Sequence, residues 1–247
     1  MIRTIETTDD GSATLYVPEL DEHYHSVKGA RTESQHIFIN MGLKASPAPA
    51  PRVLEVGFGT GLNAQLTLEE AEHSGRHVHY TGIERYPLTW EEISPLHYTD
   101  HPLFEALHRA PWGKDVPVSP HFTLCKIEAD VHEALGNEER KMKNEELGCA
   151  TTVLADTPQE NSSFFIPHSS FYDVVYFDAF APEKQPEMWS ESLFRALWQH
   201  MSPGAVLTTY CAKGVVRRML QSIGFHVERL PGPPGGKREI LRAWKVK

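Results

Sequence analysis

Ten consecutive residues constrain this chain most: Leu54-Glu55-Val56-Gly57-Phe58-Gly59-Thr60-Gly61-Leu62-Asn63. The apolar run Val53 to Val56 reads as a short buried strand, and Leu62 to Glu72 reads as a helix. Three glycines at alternate positions between them dictate a tight strand-to-helix turn, where a ligand can touch the backbone. The exposed N–H groups at the following helix start favour an anionic group such as a carboxylate. The spacing is Gly-x-Gly-x-Gly, which differs from the Gly-x-Gly-x-x-Gly of dinucleotide binders.

Strand and helix patterns alternate from Arg52 onward, the mark of a parallel sheet covered by helices. Further strands are expected at His77 to Glu84, Phe122 to Ile127, Thr151 to Ala155, Tyr172 to Asp178 and Ala205 to Tyr210. Trp90 to His108 reads as largely helical, as do Glu191 to Met201 (ended by Ser202-Pro203-Gly204) and Val215 to Ser222. The highly charged stretch from Asn137 to Leu147 reads as a solvated insertion or surface helix. Phe225 to Leu230 and Glu239 to Val246 follow each other with only a Pro/Gly loop between them, so they should pair as an antiparallel hairpin. Ahead of this pattern, Ala13 to Val17 alternates like a short strand, and the alternate prolines of Ala45 to Pro51 make a stiff extended connector. Residues 1–50 are therefore expected to be an N-terminal extension packed on a main domain of residues 51–247.

Three acids stand at strand ends. Glu84, 27 residues after Gly57, is placed to accept both hydroxyls of a ribose. Asp156, after the strand at Thr151, is the candidate acceptor for an adenine amino group, with Asp130 as its rival. Asp178 ends the strand that runs into Ala179-Phe180-Ala181-Pro182, and it should face the reacting group. Strand-end acids beside a glycine turn suit a nucleoside without phosphate, and S-adenosyl-L-methionine is such a ligand. Glu55, Gly57, Phe58, Gly59, Gly61, Asn63, Glu84 and Asp156 form the expected cofactor site. The expected fold is α/β: a Rossmann-like class I S-adenosylmethionine-dependent methyltransferase, with a mostly parallel seven-stranded sheet ending in an antiparallel hairpin.

The sequence closely resembles the methyltransferase domain of the bifunctional tRNA 5-methylaminomethyl-2-thiouridine biosynthesis proteins. The resemblance is carried by Glu55-Val56-Gly57-Phe58-Gly59-Thr60-Gly61-Leu62-Asn63, Glu84-Arg85-Tyr86-Pro87-Leu88, Phe177-Asp178-Ala179-Phe180-Ala181-Pro182 and Pro186-Glu187-Met188-Trp189, then by Val216-Arg217-Arg218 and Gly236-Lys237-Arg238-Glu239. It extends from the Tyr24 region to Arg242. It implies N-methylation of the primary amine of 5-aminomethyl-(2-thio)uridine at the tRNA wobble position, so the anticodon region is the implied partner. Glu84 would then hold the ribose, Asp156 the adenine, and Asp178 the substrate amine. In the bifunctional proteins an oxidase domain follows and supplies the amine. This sequence ends at Lys247, so the expectation is a methyltransferase without that oxidase, served by another enzyme.

The 24 basic and 33 acidic residues leave a net charge of −9, which works against indiscriminate nucleic-acid binding. A local patch formed by Lys213, Arg217, Arg218, Lys237 and Arg238, supported by Arg242, Lys245 and Lys247, is the candidate phosphate grip. Phe180 and Trp189 are either core side chains or stacking platforms for the uridine. The alternating pairs His23/His25 and His77/His79 have no cysteine or carboxylate at ligand spacing, so no metal site is expected. Cys125, Cys149 and Cys211 are far apart, which fits a reducing cytoplasm. There is no secretory signal and no apolar run of membrane-spanning length, so no membrane partner is expected. Two other readings stay open: methyl or aminopropyl transfer to a small-molecule amine, and a cofactor-binding module without turnover.

Overall fold

A computed structural model describes residues 3–99, 102–136 and 171–246. The first elements are three short strands, β1 (Thr4–Thr7), β2 (Ala13–Val17) and β3 (Glu22–His23), which form an antiparallel sheet of their own. Helix α1 (Ala30–Ser34) and a π-helical turn, Gln35–Asn40, lead into the main domain. There follow β4 (Arg52–Val56), α2 (Leu62–Ser74), β5 (Val78–Glu84), α3 (Trp90–Ile93), α4 (Pro102–Arg109), β6 (Asp115–Ser119), β7 (Phe122–Glu128) and α5 (Val131–Ala134). After the gap come β8 (Tyr172–Phe177), α6 (Glu191–Gln199), β9 (Met201–Thr209), α7 (Gly214–Ile223), β10 (Phe225–Pro231) and β11 (Glu239–Lys245).

The main sheet runs β10-β11-β9-β8-β4-β5-β7-β6. The strands from β9 to β7 pair in parallel, whereas β11 lies antiparallel on β9 and β10 antiparallel on β11. The parallel strands are covered on both faces, which is why β4 and β8 read as continuous apolar runs. Chain order reverses across β4, whose neighbours are β5 and β8. In open α/β sheets the crevice for a ligand opens beyond the strand ends at such a reversal.

Three expectations need correction. The sheet has eight described strands, not seven, because Asp115–Ser119 pairs antiparallel with β7 at the edge. Pro117 made this stretch look unlike a strand, yet an edge strand tolerates a missing N–H donor. Trp90 to His108 is broken into α3, a 3₁₀ turn at Ser94–Leu96, and α4, because Pro95 and Pro102 each interrupt the hydrogen-bond ladder. Ser202-Pro203-Gly204 lies within β9 as a bulge, with Tyr172 opposite Met201 but Val174 opposite Val206. The expected strand at Thr151 to Ala155 and the charged stretch at Asn137 lie outside the described residues.

The extension shares its core with the main domain. Leu15, Ala30 and Ile39 pack with Leu62, Leu66, Ile93, Leu96 and Phe104 in one apolar cluster. Phe38 packs on Tyr176 of β8, with ring centroids 5.2 Å apart. Burial of this kind contributes roughly 1.5–3 kcal/mol per large side chain, so the extension is held firmly in place.

Candidate active site

A cavity of about 620 Å³ opens at the carboxyl ends of β4, β5, β7 and β8. That size is typical of small-molecule sites. Its floor is the glycine turn. Gly57 has φ +89°, and a Cβ there would stand 2.9 Å from the carbonyl oxygen of Asp178. Only glycine fits, so the sequence lets the ends of β4 and β8 approach closely where both border the cavity.

Glu84 closes one side. Its carboxylate accepts the Gly59 N–H at 2.9 Å and the Tyr86 N–H at 2.8 Å, which ties the glycine turn to the end of β5. Each carboxylate oxygen has a second lone pair, so the group can still accept hydroxyls from the cavity it borders. Asp130 also borders the cavity. It caps α5 by accepting the His132 N–H at 2.8 Å, and it pairs with Arg85 at 2.8 Å. Asp156, the preferred adenine contact from the sequence, lies outside the described residues.

Asp178 stands opposite, beyond β8. The Asn63 side-chain amide donates to its Oδ2 at 2.9 Å and to Glu55 Oε1 at 2.8 Å, so one amide fixes two carboxyl groups. Glu55 is fully buried, and burial pushes its carboxyl well above the ordinary range. Glu55 does not border the cavity, where the sequence had placed it as a cofactor contact, and it supports Asn63 from behind the wall. Burial, followed by the nearby charge of Glu33, pushes the Asp178 carboxyl up to about 7. Phe58 borders the cavity, but its ring turns back into the core, edge-on to His108 and Trp112.

The extension supplies the facing wall: Arg3, Tyr24, His25 and Glu33 all border the cavity. The His25 ring hydrogen-bonds the Thr60 hydroxyl at 2.8 Å, reaching the glycine turn directly. Burial pushes the His25 imidazole down to about 4, so it is neutral at pH 7. Tyr24 lies edge-on to Phe180, with centroids 5.2 Å apart. Sequence reasoning named none of these as site residues. The only signal was the unusual His23-Tyr24-His25 cluster, whose histidines were weighed for a metal. Among the described residues no three His, Cys, Asp or Glu side chains are grouped as a metal site.

The expected basic patch divides. Lys213, Arg218 and Arg238 are exposed and Arg217 half-buried, and Lys213 pairs with Glu183. Lys237 borders the cavity. Arg242 is committed to Glu228 at 2.7 Å, and the Lys245 ammonium donates inward to the carbonyls of Trp198 and Met201. These two support the hairpin instead of a phosphate grip. Lys247 lies outside the described residues. Of its two readings Trp189 takes the core one: it is 8 % exposed and packs on Phe177 at 4.9 Å.

Comparison with known proteins agrees with this geometry. Residues 140–246 match the family described as S-adenosyl-L-methionine-dependent methyltransferase. The tRNA 5-methylaminomethyl-2-thiouridine biosynthesis bifunctional protein MnmC of Cupriavidus necator is 32 % identical over 94 % of this chain and 34 % of its own length. The same protein of Magnetococcus marinus is 32 % identical over 93 % and 32 %. The chain thus spans about a third of these relatives. The crystal structure of MNMC2 from Aquifex aeolicus superposes with a TM-score of 0.69 at 24 % identity, over 98 % of this chain and 70 % of that one. Spermidine synthase from Thermotoga maritima gives 0.53 at 11 % identity, over 99 % and 80 %. Both likenesses concern the fold. The cofactor that family and fold imply is S-adenosylmethionine, and the Gly57 cradle with Glu84 beside it fits that group. The chain is thus similar over nearly its whole length to about a third of the bifunctional 5-methylaminomethyl-2-thiouridine biosynthesis proteins, and it has the α/β fold, with a mostly parallel central sheet, of class I S-adenosylmethionine-dependent methyltransferases.

Proposed function

We propose that this chain methylates the exocyclic primary amine of 5-aminomethyl-(2-thio)uridine at the wobble position of tRNA, in the cytoplasm. The observation that carries the reading is the Asp178 carboxyl group, fixed by Asn63 over the Gly57 turn. Bound S-adenosylmethionine supplies an electrophilic methyl group on a sulfonium. The chain's own residues bind, orient and deprotonate. Gly57, Gly59 and Gly61 would admit the cofactor to the backbone, Glu84 would accept its ribose hydroxyls, and Asp156, or its rival Asp130, would accept a hydrogen bond from its adenine amino group. Arg3 borders the cavity and would offer a positive charge to the cofactor's carboxylate.

An alkylammonium has no free lone pair, so it must lose a proton before it reacts. An ordinary aspartate is a poor acceptor, about six pKa units below an alkylammonium. Raising Asp178 to about 7 narrows that gap to roughly three units. Asp178 can therefore orient the cation and also receive its proton. Arg217, Arg218 and Arg238 are the phosphate contacts of this reading, with the anticodon region as the RNA partner.

The test is nucleoside mass spectrometry on tRNA carrying 5-aminomethyluridine, incubated with the protein and S-adenosylmethionine. The expected result is one added methyl on the wobble nucleoside. No added methyl, with cofactor binding intact, would sink this substrate. Turnover with the decarboxylated cofactor instead would identify an aminopropyltransferase.

A further inference from the structure

Lys237 was read from the sequence as a phosphate contact, and the structure holds it elsewhere. Its ammonium lies 3.1 Å from Glu33 Oε1 and 3.7 Å from the centroid of the Tyr210 ring. The Glu33 side chain is only 10 % exposed, and its second oxygen accepts the Ser26 N–H at 3.0 Å. The Tyr210 hydroxyl donates to the carbonyl of Ala179, the residue after Asp178, at 2.9 Å. Glu33, Tyr210, Lys237 and Asp178 border one cavity. A fixed carboxylate beside an aromatic face is a site for an alkylammonium. Here the occupant is the end of a side chain that is 43 % exposed and free to leave for solvent.

We propose that Glu33 and Tyr210 form the receiving subsite for the substrate's primary ammonium, and that Lys237 fills this subsite until the substrate displaces it. Building on the amine-methylation reading, this assigns the amine a docking place beside Asp178. Lys237, once displaced, carries its charge outward to the RNA side of the cavity mouth. The extension therefore provides half of the amine site, and the loop between β10 and β11 provides its internal competitor.

The probe is ¹³C-methylammonium, titrated by NMR into the full chain saturated with S-adenosylhomocysteine. In Lys237→Ala the subsite stands open, and methylammonium should bind at least ten-fold tighter than in the wild type. Adding Glu33→Gln to that variant should abolish the gain. In turnover, Lys237→Ala should become sensitive to competitive inhibition by methylammonium while the wild type resists. Equal methylammonium affinity in Lys237→Ala and wild type would overturn the proposal. So would a loss of S-adenosylmethionine affinity in Lys237→Ala, which would make Lys237 an anchor for the cofactor's carboxylate. The binding titration needs no turnover. If aminomethylated tRNA is not methylated but Lys237→Ala still gains methylammonium through Glu33, the subsite stands and the substrate reading falls.

Discussion

The cavity has two walls of different origin. One is the carboxyl edge of the parallel sheet, where Gly57, Glu84 and Asp178 stand at the ends of β4, β5 and β8. The other is the N-terminal extension, which sends Tyr24, His25 and Glu33 across to face it. The sheet edge has its residues fixed by backbone geometry: a strand end delivers a side chain to one place. The extension has its residues fixed by long-range packing, through Leu15, Ala30 and Ile39 against α2, α3 and α4. The first wall should therefore carry the chemistry, and the second should govern entry and affinity.

Asp178→Asn is the strongest test of that division. The variant should lose roughly 10²–10⁴-fold in kcat while binding cofactor normally. In the wild type kcat/KM should rise with pH through about 7, as Asp178 loses its proton. That limb should vanish in the variant. Stability should change in the opposite sense. The folded state holds the Asp178 proton up to about 7 while the unfolded chain releases it near 3.8, so stability falls as pH rises through that window. Asp178→Asn should consequently raise Tm by a few degrees at pH 8 and by little at pH 4. Unchanged turnover would move the chemistry off the sheet edge.

Gly57→Ala comes next. An alanine must adopt φ +89° and place its Cβ 2.9 Å from the Asp178 carbonyl oxygen, a strain of about 1–3 kcal/mol at the cofactor cradle. Calorimetry should show cofactor affinity reduced by about 100-fold at the top of that range. Affinity within a factor of three would show that the ligand does not use this turn.

How much was legible in the sequence follows the same line between the walls. Gly57, Glu84 and Asp178 could be read because each obeys a local rule: a forced positive φ, or an acid at the end of an apolar run. The hairpin could be read because no helix separates β10 from β11. Glu33 and His25 obey no local rule. Glu33 sits in a five-residue helix whose carboxylate looks solvated on paper, yet it is 8 % exposed and accepts from the Ser26 N–H and from Lys237, 204 residues away. Lys237 and Trp189 could not be placed for the same reason. Only tertiary packing shows the Lys237 ammonium beside Glu33 at the cavity and Trp189 against Phe177. Asp115–Ser119 escaped notice because its proline is permitted only at the sheet edge, a position invisible before the strand order is known.

Asn63→Ala sharpens the comparison on the sheet side. Asn63 acts through Asp178, so the variant should lose about ten-fold in kcat, near 1.4 kcal/mol, with little change in cofactor affinity. The lost donor favoured the charged carboxylate, so the limb near 7 should move to higher pH. A limb that stays in place would reduce Asn63 to a packing role.

His25→Ala probes the opposite wall and should have the smallest effect. It removes the 2.8 Å hydrogen bond to Thr60, the point where the extension holds the glycine turn. A neutral buried hydrogen bond contributes about 0.5–1.5 kcal/mol, so cofactor affinity should weaken by roughly two- to ten-fold while kcat stays near normal. The imidazole is held neutral down to about pH 4 by burial, so cofactor affinity in the wild type should show no inflection between pH 5 and 8 that depends on His25. An inflection near 6.5 that disappears in His25→Ala would mean the imidazole titrates at the site. A fall in kcat matching that of Asp178→Asn would mean more, because the extension would then share the chemistry and the division between the walls would fail.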